Sequence, residues 1–321
     1  MSLSETQSRA VAHGAGPCIC LAGPGSGKTT VITERTKYLI EKQGISPSEI
    51  LVITFTKAAS IEMRERFHNA MKGRYAPVTF GTFHAVFFTI LKAAYHYTAE
   101  NILREEEKYT ILRDILEPMD LEIEDEKEFL LGVTEEISLI KNERISLEHY
   151  YSSNCPEDVF RSIFREYQQA LIRKRKLDFD DMLVCTYELL KARPDICRGW
   201  QKRFRYILID EFQDTDELQV ALLSLIAKSG FSNVCTVGDA QQSIYRFRGA
   251  DVSVFYSYRE MLEEKTVEPE FVSLPDNFRS HADVLSFVDK VFSQPQVFGS
   301  RFLSLLPKGS VNKEKDSLFD A

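Results

Sequence analysis

Short apolar segments recur along this chain, and each ends in small or acidic residues. They lie at 17–21, 50–55, 78–80, 206–209, 234–237 and 271–274. Between several of them the apolar residues follow the helical period, as in 29–43, which is followed by Gly44, and in 57–72, which is followed by Gly73. Alternating strands and helices predict an α/β fold, in which a parallel sheet carries helices on both faces.

The alternation stops between about residues 95 and 203, where strand-like segments are almost absent. Apolar residues there recur at helical spacing on one face. They are Phe129, Leu130, Val133, Ile137 and Ile140 in one run, and Phe160, Ile163, Phe164, Tyr167 and Leu171 in another. This pattern predicts an all-helical subdomain inserted into the α/β domain. A last helix is predicted at Ala282–Phe292, followed by an irregular polar tail.

Composition adds limits to this picture. A chain of 321 residues with 44% hydrophobic residues predicts about two globular domains. Apolar segments are too short to cross a membrane, and the N-terminus lacks the pattern of a secretory signal. The six cysteines do not have zinc-ligand spacing, and Cys18 and Cys20 are expected to be buried free thiols. A cytoplasmic location is the simplest expectation. The net charge of −8 argues against a broadly basic surface for nucleic acid, although it allows a local track.

The strongest chemical signal is the segment AGPGSGKTT, which follows an apolar strand and opens a helix. In this context the backbone amides of a glycine-rich loop can approach phosphates, the lysine can reach the β- and γ-oxygens, and Thr29 can offer its hydroxyl to Mg²⁺. The alternative is a glycine-rich turn without a ligand. The predicted nucleotide-binding residues of this loop are Ala22, Gly23, Pro24, Gly25, Ser26, Gly27, Lys28, Thr29 and Thr30.

The second signal is the acidic pair Asp210 and Glu211, which ends a strand-like segment. Magnesium-assisted hydrolysis needs one carboxylate that holds the metal and one that polarises the attacking water. We assign the first role to Asp210 and the second to Glu211. An acidic pair after a strand is by itself often only a cap or a surface turn. Together with the phosphate loop it indicates a P-loop ATPase.

Seven sequence blocks then indicate what such an ATPase moves. They are LSETQ at 3–7, TFTKAASIEMRER at 54–66, GTFH at 81–84, LDFDDML at 177–183, DEFQDTDELQ at 210–219, VGDAQQSIYRFRGAD at 237–251 and NFRS at 277–280. These blocks closely resemble the superfamily 1 DNA helicases of the UvrD/Rep/PcrA type and follow the order found in that family. The resemblance implies an ATP-dependent 3′→5′ DNA helicase with ATP and Mg²⁺ as cofactors.

The resemblance also implies a domain division and roles for single residues. It makes 1–95 and 204–276 two parts of a RecA-like ATP-binding domain, 96–203 an inserted helical subdomain and 277–321 the start of a second RecA-like domain. At the nucleotide, Gln7 would recognise the adenine edge, since its side-chain amide can donate and accept hydrogen bonds at once. Phe278 would hold the adenine base. The implied catalytic residues are Lys28, Asp210, Glu211, Gln242 and Arg279, with Thr29 and Asp210 at the metal.

The resemblance implies that the protein binds single-stranded DNA and single/double-strand junctions. It implies no membrane partner. Rings at motif positions would stack on bases, a contact of about 1–3 kcal/mol per base. The implied DNA-binding residues are Phe55, Thr82, His84, Tyr245, Phe247 and Arg248. For each aromatic residue taken alone, ordinary core packing is the competing interpretation.

The chain departs from the family in two places and leaves two alternatives open. Thr30 stands where relatives often have an arginine that stacks on adenine, and Phe278 where they often have tyrosine.

Since the rest of a second RecA-like domain is not visible after about residue 294, we expect a fragment of a longer protein. One alternative is the motor part of an AddA/RecB-type helicase–nuclease. The other is a non-catalytic, ATP-gated DNA-binding module, against which the intact Glu211 and Gln242 argue.

Overall fold

The computed structural model of the chain describes residues 3–119, 121–246, 249–264, 269–298 and 302–308. These residues form two compact units. The α/β unit contains the described residues within 1–82, 197–216 and 223–321, and the helical unit contains those within 83–196 and 217–222.

The α/β unit is built on a six-stranded sheet in which every neighbouring pair is parallel. Its strands are β1 (Cys18–Ala22), β2 (Ile50–Thr54), β3 (Thr79–Thr82), β4 (Tyr206–Ile209), β5 (Val234–Gly238) and β6 (Glu270–Leu274), in the order β3-β2-β4-β5-β1-β6. All five residues of β2 and of β5 are buried, as expected where both faces of a parallel sheet are covered. The α/β fold predicted from the sequence is confirmed.

The helices in the described ranges follow the apolar periodicity closely. In chain order they are α1 (Glu5–Ala12), α2 (Lys28–Glu41), α3 (Lys57–Ala70), α4 (Phe83–Tyr95), α5 (Glu105–Leu116), α6 (Glu126–Glu143), α7 (Glu157–Lys174), α8 (Asp181–Ala192), α9 (Pro194–Arg203), α10 (Glu217–Ile226), α11 (Val252–Glu264) and α12 (Ala282–Phe292). Among them, none is long and apolar enough to cross a membrane.

A small parallel pair of strands interrupts the predicted tail. β7 (Asp276–Asn277) pairs with β8 (Leu306–Pro307). The backbone N–H of Leu306 donates to the carbonyl of Pro275 at 2.7 Å, and that of Lys308 to the carbonyl of Asn277 at 2.8 Å. Two-residue strands have no periodicity that a sequence pattern can reveal, so the prediction of an irregular segment missed this pair.

The helical unit has its own apolar core, formed mainly by α5, α6 and α7. The residues that the sequence placed on one face of each helix, such as Val133, Ile137, Ile163 and Tyr167, are fully buried there. The unit begins at residue 83, so that α4 belongs to it, whereas the sequence division began at 96. Within the unit, the Thr186 hydroxyl on α8 donates to the carbonyl of Phe87 on α4 at 3.3 Å. The functional division into domains stays a prediction.

A buried lysine joins two aspartates in this unit, and we call these groups the Lys141 cluster. The Lys141 amine lies 2.5 Å from Asp178 Oδ2 and 2.8 Å from Asp181 Oδ1. Tyr167 donates its hydroxyl to Asp178 Oδ2 at 3.1 Å. The two remaining oxygens accept backbone N–H groups, since Asp181 N–H donates to Asp178 Oδ1 and Asp178 N–H to Asp181 Oδ2. All four carboxylate oxygens therefore have a donor.

Candidate active site

The candidate site lies where the parallel strands of the α/β unit end. In a parallel sheet the carboxyl ends of neighbouring strands share one edge, and loops that follow them converge there. The strand β1 leads into the phosphate loop, β2 into Phe55, β4 into Asp210 and β5 into the loop that carries Gln242. The sheet topology therefore gathers motifs that are far apart in the sequence.

The phosphate loop turns sharply between Ala22, which is buried, and the start of α2 at Lys28. Gly25 and Gly27 have φ angles of 70° and 86°, in the left-handed region that glycine adopts without strain. The hydroxyl of Ser26 donates to the carbonyl of Gly23 at 2.7 Å and stabilises the turn. In the first turn of α2, Thr29 is half-buried and Thr30 is exposed.

Lys28 connects this loop to two other motifs. Its amine lies 2.9 Å from Glu211 Oε2 and donates to Gln242 Oε1 at 3.1 Å. The Lys28 side chain is 11% exposed and that of Glu211 is 35% exposed, so solvent partly screens this ion pair. Three residues that the sequence assigned to catalysis are thus in direct contact.

The acidic pair has unusual backbone and electrostatic properties. Glu211 has a φ of 50°, a left-handed conformation that costs a non-glycine residue free energy and is concentrated at functional sites. Asp210 is buried, and this burial raises the pKa of its carboxyl from 3.8 to about 7, with the charge of Glu211 acting in the same direction. The charge of Lys28 opposes the shift. A cation beside Asp210 would favour its ionised form.

Gln213 was not assigned a role from the sequence, although it lies in the same motif block. It is 2% exposed, and its amide nitrogen donates to Glu211 Oε2 at 2.9 Å. Its amide oxygen accepts the backbone N–H of Asp239 at 2.9 Å. Asp239 in turn accepts the amide of Gln242 at 2.7 Å through Oδ2. Gln213 and Asp239 therefore link Glu211 to Gln242.

Asp214 was also missed. It is 4% exposed, and its Oδ2 accepts the Gln213 amide at 3.2 Å. Its Oδ1 has no hydrogen-bond partner in the part of the chain that the structure describes. Burial raises the pKa of this carboxyl to about 6, with a further contribution from the charge of Glu211. The only signal in the sequence is its position four residues after Asp210, which alone gives no role.

Gln7 packs directly against the phosphate loop. Its amide nitrogen donates to the carbonyl of Ser26 at 2.8 Å, and its amide oxygen accepts the backbone N–H of Ser4 at 2.9 Å. A Cβ atom at Gly27 would lie 2.8 Å from the Gln7 amide nitrogen, so a larger residue there would displace the Gln7 side chain from this contact. The adenine contact expected of Gln7 remains a prediction.

The segment after β6 covers the other side of the loop. The buried Asn277 donates its amide to the carbonyl of Pro24 at 2.6 Å, and its side-chain oxygen accepts the backbone N–H of Arg279 at 2.9 Å. The backbone N–H of Phe278 donates to the carbonyl of Gly25 at 2.9 Å. The Arg279 side chain is exposed, and the Phe278 side chain is 36% exposed. Asn277 is a further residue that sequence reasoning did not assign.

Two of the predicted DNA-stacking rings are neighbours. Phe55 and Tyr245 have ring centroids 4.9 Å apart, with planes tilted by 35°. They line a cleft of about 300 Å³ whose wall also includes Glu211, Asp214 and Gln242. Aromatic side chains and residues that the sequence assigned to catalysis therefore share one cleft in the α/β unit. Phe247 and Arg248, which were assigned with them, lie outside the described residues.

The remaining predicted DNA contacts fall in different units. Thr82 ends β3, opposite Thr54 on β2. His84 lies in the first turn of α4 in the helical unit, where its ring stacks on Phe179 with centroids 3.7 Å apart. Burial lowers the pKa of His84 to about 4, so the ring is neutral at physiological pH. Phe179 is 60% exposed, an aromatic surface that sequence reasoning missed although it lies in the LDFDDML block.

Comparison with known proteins agrees with this geometry. The family described as UvrD/REP helicase N-terminal domain matches residues 3–263. The chain is 33% identical over 299 residues to the ATP-dependent DNA helicase PcrA of Bacillus subtilis. The aligned region covers 90% of this chain and 39% of the B. subtilis protein. PcrA of Staphylococcus epidermidis and of Staphylococcus aureus are also 33% identical, over 90% of this chain and 40% of their length. The chain thus spans about two-fifths of the length of these relatives. The family predicted from the motif blocks is confirmed, and the chain belongs to the UvrD/REP helicases.

Proposed function

We propose that the α/β unit binds and hydrolyses Mg-ATP, and that the protein is an ATP-dependent DNA helicase that translocates 3′→5′ along single-stranded DNA. The observation that carries this proposal is the contact of Lys28 with both Glu211 and Gln242 at the end of a phosphate loop. The names of the PcrA relatives support the same activity. The direction of movement rests on family resemblance alone.

The contacts of Lys28 indicate how nucleotide binding would prepare hydrolysis. Phosphate oxygens that bind the Lys28 amine compete with the Glu211 carboxylate, which lies 2.9 Å away. Release from Lys28 leaves Glu211 free to orient and polarise the attacking water. Gln213 keeps its hydrogen bond to Glu211 and limits where the carboxylate can go. Gln242 would sense the γ-phosphate, since its amide oxygen contacts the same amine.

The donor set fits a magnesium ion as well. The carboxylate of Asp210 and the hydroxyl of Thr29 are hard oxygen ligands of the kind that Mg²⁺ prefers. Burial disfavours the ionised form of Asp210 and raises its pKa, and a bound cation would offset this cost by stabilising the carboxylate. When bound, Mg²⁺ supplies positive charge that neutralises the phosphates. Arg279 would add a cation at the γ-phosphate, while Gln7 and Phe278 would hold the adenine.

The same cleft supports a role in DNA binding. The rings of Phe55 and Tyr245 adjoin Gln242 and Glu211, so a base that stacks there would change the surroundings of the catalytic groups. Thr82, His84, Phe247 and Arg248 complete the proposed contacts with single-stranded DNA and with single/double-strand junctions. A cytoplasmic location is part of the same proposal. The non-catalytic alternative is disfavoured because Glu211 is held in a strained conformation beside Lys28.

Two substitutions test the proposed ATP chemistry. In the intact protein, of which we expect this chain to be a fragment with very slow turnover of its own, Lys28→Ala should weaken nucleotide binding and abolish turnover, because the phosphates lose their cation. In Glu211→Gln we expect retained binding and a loss of at least about 10²-fold in phosphate release, because only the polarising carboxylate is removed. Glu65→Gln makes the same change on the exposed face of α3 and serves as the control. Wild-type phosphate release by Glu211→Gln would contradict the assignment.

A second pair of variants tests the DNA contacts. Tyr245→Ala and Phe55→Ala should each weaken single-stranded DNA binding by about 1–3 kcal/mol while nucleotide binding is retained. Fluorescence anisotropy with labelled oligonucleotides measures the first quantity and thermal melting checks the fold. If the rings only fill core space, melting will instead show a loss of stability of about 3–5 kcal/mol with DNA affinity unchanged in the folded fraction.

A further inference from the structure

Three cysteines meet in the core of the α/β unit. Cys18 and Cys20 are two residues apart on β1, so their side chains leave the same face of the sheet. Cys235 lies on β5, directly opposite Cys18 in the parallel register. All three are buried, at 0%, 0% and 3% exposure. Two central strands thus bring three thiols together inside an otherwise apolar core.

The spacing of the sulfur atoms matches the edges of a metal–thiolate site. The three Sγ atoms lie within 4.8 Å of one another, and those of Cys18 and Cys20 are 3.7 Å apart. A thiophilic ion with metal–sulfur bonds of about 2.3 Å holds its sulfurs about 3.8 Å apart in a tetrahedral arrangement and about 4.0 Å apart in a trigonal one. The one sulfur pair with a stated distance is at this spacing, and the other two pairs are within 1 Å of it or closer.

The charge of a buried arginine, Arg35, acts on Cys18 and Cys235. Arg35, on α2, is 2% exposed. Its Nη1 donates to the carbonyls of Ala10, Val11 and His13, near the end of α1. Its Nε has no hydrogen-bond partner among the residues that the structure describes.

We propose that Cys18, Cys20 and Cys235 form a three-thiolate site for a soft divalent cation of the zinc group. Binding forms three metal–sulfur bonds, and the protons still held by the thiols pass to solvent. Three thiolates and a divalent ion carry a net charge of −1, which the buried Arg35 balances, whereas a monovalent ion would leave −2. Soft ligands also discriminate against Mg²⁺ and Ca²⁺, which prefer oxygen.

Such an ion would join two strands that supply the candidate active site. Two residues after Cys20, β1 ends at Ala22 and the phosphate loop begins. Four residues after Cys235, Asp239 starts the turn that carries Gln242. An occupied site would fix β1 to β5 beneath these loops without contributing a ligand to the nucleotide.

The test is a Cd²⁺ titration of the reduced chain under anaerobic conditions. Cadmium–thiolate bonds give an ultraviolet charge-transfer absorption, which we expect to saturate at one ion per chain and to accompany a rise in melting temperature. Because the thiols are buried, the titration is made both by mixing with the folded chain and by refolding in the presence of Cd²⁺. Saturable binding by either route, at one ion per chain, supports the site.

Single substitutions connect the signal to these residues. Cys20→Ser and Cys235→Ser each remove one ligand, so each should lower Cd²⁺ affinity at least about tenfold and abolish the thermal shift. If one variant does not fold, the other decides. Cys155→Ser, in the helical unit, should leave the signal unchanged. The proposal is overturned if the folded wild-type chain gives no charge-transfer band by either route. It is also overturned if both variants keep the wild-type affinity.

Discussion

Each unit of this protein contains a lysine among buried carboxylates, and the two arrangements differ in how completely their polar atoms are paired. In the Lys141 cluster all four oxygens of Asp178 and Asp181 accept a hydrogen bond. In the candidate active site, Lys28 contacts Glu211, whereas Asp214 keeps a buried oxygen without a partner in the described ranges. A fully paired cluster stabilises a fold, and an incompletely paired one is ready to receive a ligand.

Electrostatics follow the same distinction. Burial acts to lower the pKa of Lys141, but the charges of Asp178 and Asp181 outweigh it and raise that pKa. Burial likewise opposes ionisation of Asp178, yet Lys141 brings its pKa below the ordinary value. Burial raises the pKa of Asp181 to about 6, and the charge of Asp178 acts in the same direction, so the charge of Lys141 does not fully offset the shift. In the candidate active site, burial dominates at Asp210 and raises its pKa to about 7, with the charge of Glu211 acting in the same direction and that of Lys28 opposing it.

The largest expected difference concerns the two lysines. Lys141→Met leaves two buried carboxylates without their cation, and we expect the helical unit to lose about 3–5 kcal/mol in its free energy of unfolding. Lys28→Met removes a cation whose partner Glu211 has a side chain 35% exposed, and we expect a loss below about 1 kcal/mol. Urea unfolding, with signals from each unit, measures both. Equal losses would show that the two sites do not differ as described.

A smaller effect of opposite sign is expected at Asp210. Asp210→Asn removes a carboxyl that burial disfavours in its ionised form. In magnesium-free buffer at neutral pH we therefore expect a gain of about 1–2 kcal/mol in stability, together with loss of Mg²⁺-dependent nucleotide binding. Thermal melting and nucleotide titration provide the two measurements. A loss of stability would mean that Asp210 belongs to the fold rather than to a binding site.

The smallest expected effect tests a single donor of the paired cluster. Tyr167→Phe removes the hydroxyl that donates to Asp178 at 3.1 Å and leaves the ring in the core. We expect a loss of about 1 kcal/mol in the unfolding free energy of the helical unit, as for one hydrogen bond. Tyr151→Phe makes the same change at a ring that is 74% exposed, and we expect no change there. Indistinguishable unfolding curves for the two variants would remove Tyr167 from the cluster.

The sequence predicted the sheet well because its strands are apolar segments with clear ends. The predicted segments 206–209 and 234–237 agree with β4 and β5 to within one residue. The combination of the phosphate loop with the acidic pair also predicted that Lys28 and Glu211 serve one site, and the sheet brings them together because its parallel strands end at a common edge. The contacts of Gln213 could not be predicted in this way, since they depend on the left-handed turn at Glu211 and on the rotamers that follow it.

Other features had no signal in the sequence for a physical reason. The pairing of β7 with β8 involves two residues on each side, too few for any periodicity. The assignment of α4 to the helical unit depends on which neighbours its apolar face contacts, and periodicity only shows that such a face exists. The meeting of Cys235 with Cys18 required the strand order, since the two residues are far apart in the chain.

Gln7 has a double attachment that would couple the first helix to the nucleotide if Gln7 contacts adenine as we propose. Its amide oxygen completes the N-terminal capping box of α1 by accepting the Ser4 N–H, while its amide nitrogen contacts the carbonyl of Ser26. A side chain that rotates toward a purine must give up one or both bonds, and the end of α1 then frays. Amide hydrogen exchange at Ser4 would therefore accelerate as the pocket fills, which offers a label-free reading of occupancy from a backbone proton.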